Sequence, residues 1–220
     1  MRSFALLLMA MSALPAMGQL PGPRNPAARW DQIYLSQDAK VPVNPSTLVL
    51  ETAANLKPGV ALDVGMGNGR NAIYLARKGW RVTGVDISPA AVKQAKEEAA
   101  KLHVEFDARA GDIDHMDLGR DRYDLILCMY IHMVPIKNAR RIIEALKPGG
   151  LLVVEGHHAD VQALGLRPVS GGPPGYLTNQ LLHAFDKLRI LRYEDRTMQA
   201  EWSNGPEGKA PIVRLVARKQ

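Results

Sequence analysis

The stretch Ala61-Leu62-Asp63-Val64-Gly65-Met66-Gly67-Asn68-Gly69 joins a short apolar run to a segment with helical spacing. Glycines at such a joint let the backbone turn sharply and let a ligand approach without a Cβ in the way. Counted as G-x-G-x-x-G from Gly65, the pattern requires glycine at position 70, where Arg70 stands; counted from Gly67 it fails at Ala72. The loop is therefore a poor cradle for a diphosphate. The next extended run, WRVTGVD over 80–86, ends in Asp86, 21 residues beyond Gly65. A carboxylate at that position can accept from both hydroxyls of a ribose. Together the two features specify a nucleoside, with little provision for a diphosphate.

Working outward, the chain alternates strand-like and helix-like segments, which predicts a βαβ architecture. Residues 70–78 read as a helix that Gly79 stops, and Ser88-Pro89 reads as a hydroxyl cap and a first-turn proline. Behind that cap Ala91, Val92, Ala95, Ala99 and Leu102 recur at helical spacing. VEFDA (104–108) is expected to be a third strand and YDLILCMY (123–130) a fourth, its continuous apolar centre suited to burial on both faces. Ala139, Ile142, Ile143 and Leu146 form one helical stripe that Lys147-Pro148-Gly149-Gly150 interrupts, and LLVVEG (151–156) is the fifth strand. A loop at 171–176 and a short helix near 178–185 follow. Two extended runs, 188–202 and 211–218, flank the turn signal Asn204-Gly205-Pro206 and predict an antiparallel pair.

ALDVGMGNG, the strand ending GVDIS, GDI at 111–113, YDLILC and ALKPGGLLVVEG, in this order and spacing, resemble the class I S-adenosylmethionine-dependent methyltransferases over about residues 30–218. More narrowly, WDQIY, GRNAIYLARKGW, GGPP and the terminal VRLVARK are similar to small bacterial methyltransferases of the tellurite-resistance and thiopurine-methylating type. The resemblance implies a Rossmann-like α/β fold: a mostly parallel seven-stranded sheet, helices on both faces, and a C-terminal antiparallel hairpin. It implies S-adenosyl-L-methionine as cofactor, with Gly65, Gly67 and Gly69 bending under its methionine part and Asp63 oriented toward the amino group. Asp86 would bind the ribose, Ile87 and Ile113 would sandwich the adenine, Asp112 would accept from its exocyclic amine, and Cys128 would line the methionine side. Met66 stands where many relatives carry a smaller residue.

Methyl transfer from a sulfonium is an in-line displacement in which the protein chiefly aligns the reactants, and such positioning supplies roughly 7–11 kcal/mol. A nucleophile already anionic at neutral pH needs no base. Tyr130 and His132, just past the fourth strand, occupy the position where substrate meets cofactor, and His132 is the one candidate base. Trp30 and Tyr34, four apart on a presumed helix, could lay an aromatic lid over the substrate, or simply dock that helix on the sheet. His157-His158 predicts no metal, because neighbours on an extended segment point to opposite faces. The expected partner is a small-molecule acceptor carrying a soft nucleophile, a thiol or chalcogen oxyanion. Two alternatives stand beside this reading. One is a non-catalytic S-adenosylmethionine-binding or interaction protein; the other is an NAD(P)-dependent oxidoreductase, which shares the fold class but fits the glycine spacing poorly.

At 220 residues with 46% hydrophobic and 23% charged content, the chain has the composition of one large folded domain, not of a disordered or fibrous protein. The single Cys128 excludes an internal disulfide and any zinc site built on several thiolates. The net charge of +6 is spread thinly: Arg120 and Arg122 alternate with Asp121 and Asp124, Arg140/Arg141 precede Glu144, and Lys187 follows Asp186. That interleaving reads as solvated faces, so no nucleic-acid partner is expected. Residues 1–18, with Arg2, an apolar run from Phe4 to Leu14 and small residues after Pro15, have the pattern of a signal peptide or anchor, and 19–26 read as a proline-rich linker before a methyltransferase domain over 27–220. The apolar run is short for a span. Export or tethering follows if that signal is real, a cytoplasmic location if translation starts at a later Met.

Overall fold

Apolar residues that alternate between two faces build the centre of the sheet. In the computed structural model, which describes residues 25–36, 41–165, 175–202 and 208–220, Leu62 and Val64 of β1 (Val60–Val64), Ile126 and Cys128 of β4 (Tyr123–Met129) and Leu152 and Val154 of β5 (Leu146–His157) face one layer. Their neighbours Ala61, Leu125, Leu127, Leu151 and Val153 face the other. Both layers are closed, so strands with no polar face are what the fold requires. Burying each large aliphatic side chain contributes on the order of 1.5–3 kcal/mol.

The first layer is covered by α6 (Ala139–Ala145) and α7 (Gln180–Ala184) through Ile142, Leu181 and Phe185. The second is covered by α2 (Thr47–Ala53) and α3 (Arg70–Arg77) through Leu48, Val49, Ala72 and Leu75. Strands β2 (Arg81–Asp86) and β3 (Asp107–Ala110) extend the sheet on the other side of β1, where α4 (Pro89–Lys101) sets Val92 and Ala95 against Met66 and Ala108. Ser88 caps α4 by accepting from the Ala91 amide at 3.0 Å.

Seven strands run in the order β3-β2-β1-β4-β5-β7-β6, with β6 (Arg189–Gln199) and β7 (Lys209–Arg218) pairing antiparallel and β7 also antiparallel to β5. The other pairings are parallel. This is the fold that the motif order implies. Strand order reverses between β1 and β4, and a ligand crevice belongs at the carboxyl ends of the strands there.

Two local expectations need correction. The third strand begins at Asp107, opposite Thr83, and not at Val104. Val104 still belongs to the α4 terminus, its amide donating to Ala99 O, while Phe106 packs over the Gly69 and Gly84 region. The fifth strand starts at Leu146, paired with Tyr123, and Lys147-Pro148-Gly149-Gly150 forms an irregularity inside it. A further short helix, α5 (Met133–Lys137), follows His132 directly and is not marked by the sequence pattern. The apolar N-terminal segment, most of the linker, residues 171–174 and the 203–207 turn lie outside the described residues. No helix among the described residues is long and apolar enough to cross a membrane.

Candidate active site

The backbone creates the site before any side chain does. Gly65, Gly67 and Gly69 have φ of +64°, +58° and +78°, left-handed conformations that would strain any other residue. At Gly67 the constraint is doubled, because a Cβ would collide with the Tyr34 hydroxyl. Met66 turns the other way and rests its sulfur against Gly84, where a Cβ would collide with it, which accommodates a large residue inside the loop without narrowing the turn. Asp86 then locks the loop: Oδ2 accepts from the Gly67 amide and Oδ1 from the Ser88 amide, both at 2.8 Å. Burial raises the Asp86 carboxyl above its usual range, against the two amides that lower it.

Over this loop opens a cavity of about 390 Å³. Gly65, Gly67, Asp86 and Ile87 form one side of its wall; Tyr130, His132 and Val134 form another; Trp30 and Tyr34 of α1 (Pro26–Leu35) close it. The α1 helix is held in place from two directions. Asp31 Oδ1 accepts from Ser88 Oγ at 2.6 Å and from the Ala90 amide at 3.0 Å, and Gln94 Nε2 donates to Tyr34 O at 2.5 Å. Trp30 meets Trp202 edge to face, ring centroids 6.2 Å apart.

Five of the residues read from the sequence stand away from the cavity wall. Gly69 shapes the turn as the cap of α3 but does not line the cavity. Asp112 Oδ1 accepts from the Asp114 amide, and Ile113 packs in the core. Cys128 is fully enclosed, and burial drives its thiol far above the ordinary range, so it is an inert part of the core. Asp63 lies behind the glycine loop, almost without exposure, and neither of its carboxylate oxygens has a hydrogen-bond partner among the described residues. Burial, opposed by the Arg70 guanidinium, pushes its carboxyl up to about 7.

His132 requires a correction of chemistry. It lines the cavity, but its Nε2 accepts from the His157 amide at 2.9 Å, so the lone pair that a base would offer is already used. Burial, with His157 adding to it, lowers its value to about 3. His157, whose Nε2 lies 2.6 Å from Trp202 O, is lowered as well. His158 turns to the other side, toward Thr178 and Asp160. The Tyr130 hydroxyl donates to Glu155 Oε1 at 2.7 Å and is pushed far above its usual range by burial and then by the Glu155 charge. Among the described residues the cavity therefore offers rings and apolar surface; neither His132 nor Tyr130 is poised to remove a proton at neutral pH, and His157 keeps an unpartnered ring nitrogen, Nδ1.

Sequence reading missed Arg29, Met129, Trp202 and His157 on this wall. Only Arg29 carried a local signal, as the neighbour of Trp30 on the same helix; Trp202 reaches the site through a contact 172 positions away along the chain, between Trp30 and Trp202.

A buried carboxylate beneath a glycine loop, an acidic residue at the end of β2 and a cavity at the reversal of strand order lie where a Rossmann-like fold places a nucleoside ligand. The donor set fits S-adenosylmethionine: acceptors for a ribose at Asp86, buried negative charge near a cation at Asp63, and backbone room over Gly65 and Gly67. A family model described as a methyltransferase domain matches residues 61–150. The ubiquinone biosynthesis O-methyltransferase of Coxiella burnetii is 34% identical over 135 residues, 58% of this chain and 53% of that protein. Among solved structures, TehB from Haemophilus influenzae superimposes with a TM-score of 0.64 at 20% identity, covering 78% of this chain and 61% of that one. The [4+2]-cyclase SpnF gives 0.63 at 22% identity, covering 78% of each. The chain spans about half the length of the curated relatives it matches. Over residues 61–150 the chain matches a methyltransferase domain, and its fold is that of the class I S-adenosylmethionine-dependent methyltransferases, whose cofactor is S-adenosylmethionine.

Proposed function

We propose that the chain transfers the methyl group of S-adenosylmethionine to a small acceptor whose attacking atom is nucleophilic without losing a proton at the site, a thiolate or a chalcogen oxyanion. The observation that carries this reading is that the two groups just past β4 are spent as bases: His132 has its acceptor nitrogen occupied, and Tyr130 is held protonated against Glu155, while His157, its Nδ1 unpartnered, is buried and lowered. The bound cofactor supplies an activated methyl on a cationic sulfur. Gly65 and Gly67 hold the backbone clear of it, Asp86 fixes the nucleoside, and Trp30, Tyr34 and Trp202 exclude water from the approach. The resemblance to tellurite-resistance and thiopurine-type enzymes supports the same acceptor class. The relative named as an O-methyltransferase supports a phenolic oxygen instead, which would have to arrive ionised or give its proton to the unpartnered Nδ1 of His157. Release of S-adenosylhomocysteine should be seen with small thiols or chalcogen oxyanions and not with amines, RNA or peptides. Turnover confined to oxygen or nitrogen acceptors, or to a macromolecule, would overturn the proposal; tight cofactor binding with no turnover on any acceptor would favour a non-catalytic role.

Asp63 gives the cofactor site a pH signature. Its folded carboxyl keeps its proton between 3.8 and about 7, where an unfolded aspartate has lost it. Its contribution to stability therefore falls as pH rises through that window. A cation bound over the loop favours the carboxylate and expels that proton. Cofactor affinity should accordingly rise between pH 5.5 and 7, by up to about tenfold per unit, below the range in which the ligand's own amino group titrates. Calorimetry in two buffers of different ionisation enthalpy should show proton release in the wild type and none in Asp63→Asn. A flat profile in the wild type would separate Asp63 from the ligand.

A further inference from the structure

Two guanidinium groups line the cavity, and their surroundings differ. Arg70 is already satisfied: its Nη2 lies 2.6 Å from Glu201 Oε2, and its Nη1 donates to Asn44 O at 2.7 Å. Its charge is spent on joining α3 to the segment after β6 and to the loop before α2. Arg29 has only its backbone amide engaged, donating to Asn25 O; among the described residues its side chain makes no hydrogen bond and no ion pair. A guanidinium presents five donors in a rigid fork that matches a carboxylate or other oxyanion, so an unpaired one on a cavity wall is a receptor awaiting an anion.

Helix geometry places Arg29 on the side from which an acceptor enters. Tyr34 stands over Gly67 and the glycine loop. Trp30, one turn back along α1, meets Trp202, whose carbonyl lies against His157 at the end of β5. Arg29 adjoins Trp30, five residues and about 7.5 Å of helical rise from Tyr34, at the outer end of the helix. The side chains that share this end with it carry no compensating negative charge: His132 and His157 are both held neutral, and the one carboxylate on the wall, Asp86, is already committed to two amides at the inner end. A bound sulfonium would add further positive potential.

We propose that Arg29 is the specificity-determining residue of the acceptor half of the cavity and selects acceptors that carry an anionic group, a carboxylate or oxyanion, besides or as part of the nucleophile. The inference rests on the methyl-transfer reading of the cavity and narrows its substrate class. The guanidinium and the sulfonium hold such an acceptor from two sides, with the indole rings of Trp30 and Trp202 covering its apolar part. Neutral acceptors of the same nucleophilicity gain nothing from Arg29 and bind more weakly.

The test uses the full chain and has two arms. In the binding arm, benzoate and benzamide are titrated by calorimetry into protein saturated with S-adenosylhomocysteine, and S-adenosylhomocysteine itself is titrated into wild type, Arg29→Gln and Arg29→Lys. Benzoate is expected to bind the wild type more tightly than benzamide, to lose about tenfold in Arg29→Gln and to recover in part in Arg29→Lys, with the affinity for S-adenosylhomocysteine unchanged. In the turnover arm, the preference for mercaptoacetate over 2-mercaptoethanol should collapse in Arg29→Gln through KM more than through kcat. Equal loss for benzoate and benzamide, no loss for either, or a loss confined to S-adenosylhomocysteine would overturn the proposal, the last by assigning Arg29 to the cofactor. The binding arm needs no turnover. An anion preference that appears there while every thiol fails as an acceptor would refute the soft-nucleophile reading and leave the role of Arg29 standing.

Discussion

Replacing Glu155 with alanine is expected to lower the stability of the protein by about 3–5 kcal/mol, the range found when one member of a buried ion pair is removed. Glu155 has no solvent exposure, and its two oxygens are divided between two partners: Oε1 accepts from the Tyr130 hydroxyl at 2.7 Å and Oε2 from Arg214 Nε at 2.7 Å. Burial, then the Glu201 charge, raises the Glu155 carboxyl, so the network is held together against a desolvation cost and has little to spare. Without Glu155, Arg214 keeps, among the described residues, an ion pair with Glu194 alone, at 3.7 Å. For a chain of this length the loss corresponds to a fall in Tm of roughly 6–20 °C, readable by calorimetry. Because Tyr130 has a φ of +59° and its amide donates to Glu155 O at 2.6 Å, the mutation also loosens a residue of the cavity wall. Glu155→Gln, which keeps an acceptor for Tyr130, should lose distinctly less. A double replacement of Glu155 and Arg214 by apolar residues of similar volume should recover much of the deficit, since it removes both buried charges together. A Glu155→Ala protein as stable as wild type would show that the pair contributes nothing net.

The features legible in the sequence are those that the local backbone enforces. Three glycines in left-handed conformation can be inferred from a strand, a turn and a helix in succession, because glycine alone takes that path without strain. Asp86 was visible for the same reason: it ends a strand at a fixed distance from the loop. The misread strand is instructive. DARA, over 107–110, is a polar edge strand with only Ala108 buried, so no hydrophobic pattern marks it, whereas the apolar Val104 and Phe106 before it serve helix termination and packing. Cys128 illustrates how parity escapes a linear reading. It belongs to the same strand end as Met129, yet Met129 reaches the cavity and Cys128 the opposite layer, because successive side chains point to opposite faces. The state of His132 was out of reach altogether, since it depends on an amide 25 positions away that takes its lone pair. Likewise the aromatic closure by Trp30 and Trp202 joins segments from opposite ends of the chain.

Asp86→Ala should weaken S-adenosylmethionine binding by about ten- to a hundredfold. Two losses combine in this estimate. The carboxylate would no longer accept from the ribose, an interaction with a charged acceptor worth about 1.5–3 kcal/mol. The second loss falls on the protein itself: the Gly67 and Ser88 amides, each 2.8 Å from one Asp86 oxygen, are left without an acceptor. The first of these amides belongs to the glycine turn. The second begins the cap of α4, to which Asp31 also ties α1 through Ser88 Oγ and the Ala90 amide. Asp86 is thus the point at which the loop beneath the ligand and the helix above it are fixed to one another, and its removal frees both to move away from the geometry that the cofactor needs. Asp86→Glu keeps the charge but lengthens the arm, so it should retain part of the affinity. Calorimetric titration of the three proteins, with thermal unfolding of the ligand-free forms measured alongside, separates a lost contact from a collapsed loop. Equal affinity in wild type and Asp86→Ala would remove Asp86 from the site. An affinity that falls only in proportion to stability, in Asp86→Ala and Asp86→Glu alike, would instead assign it a purely structural part.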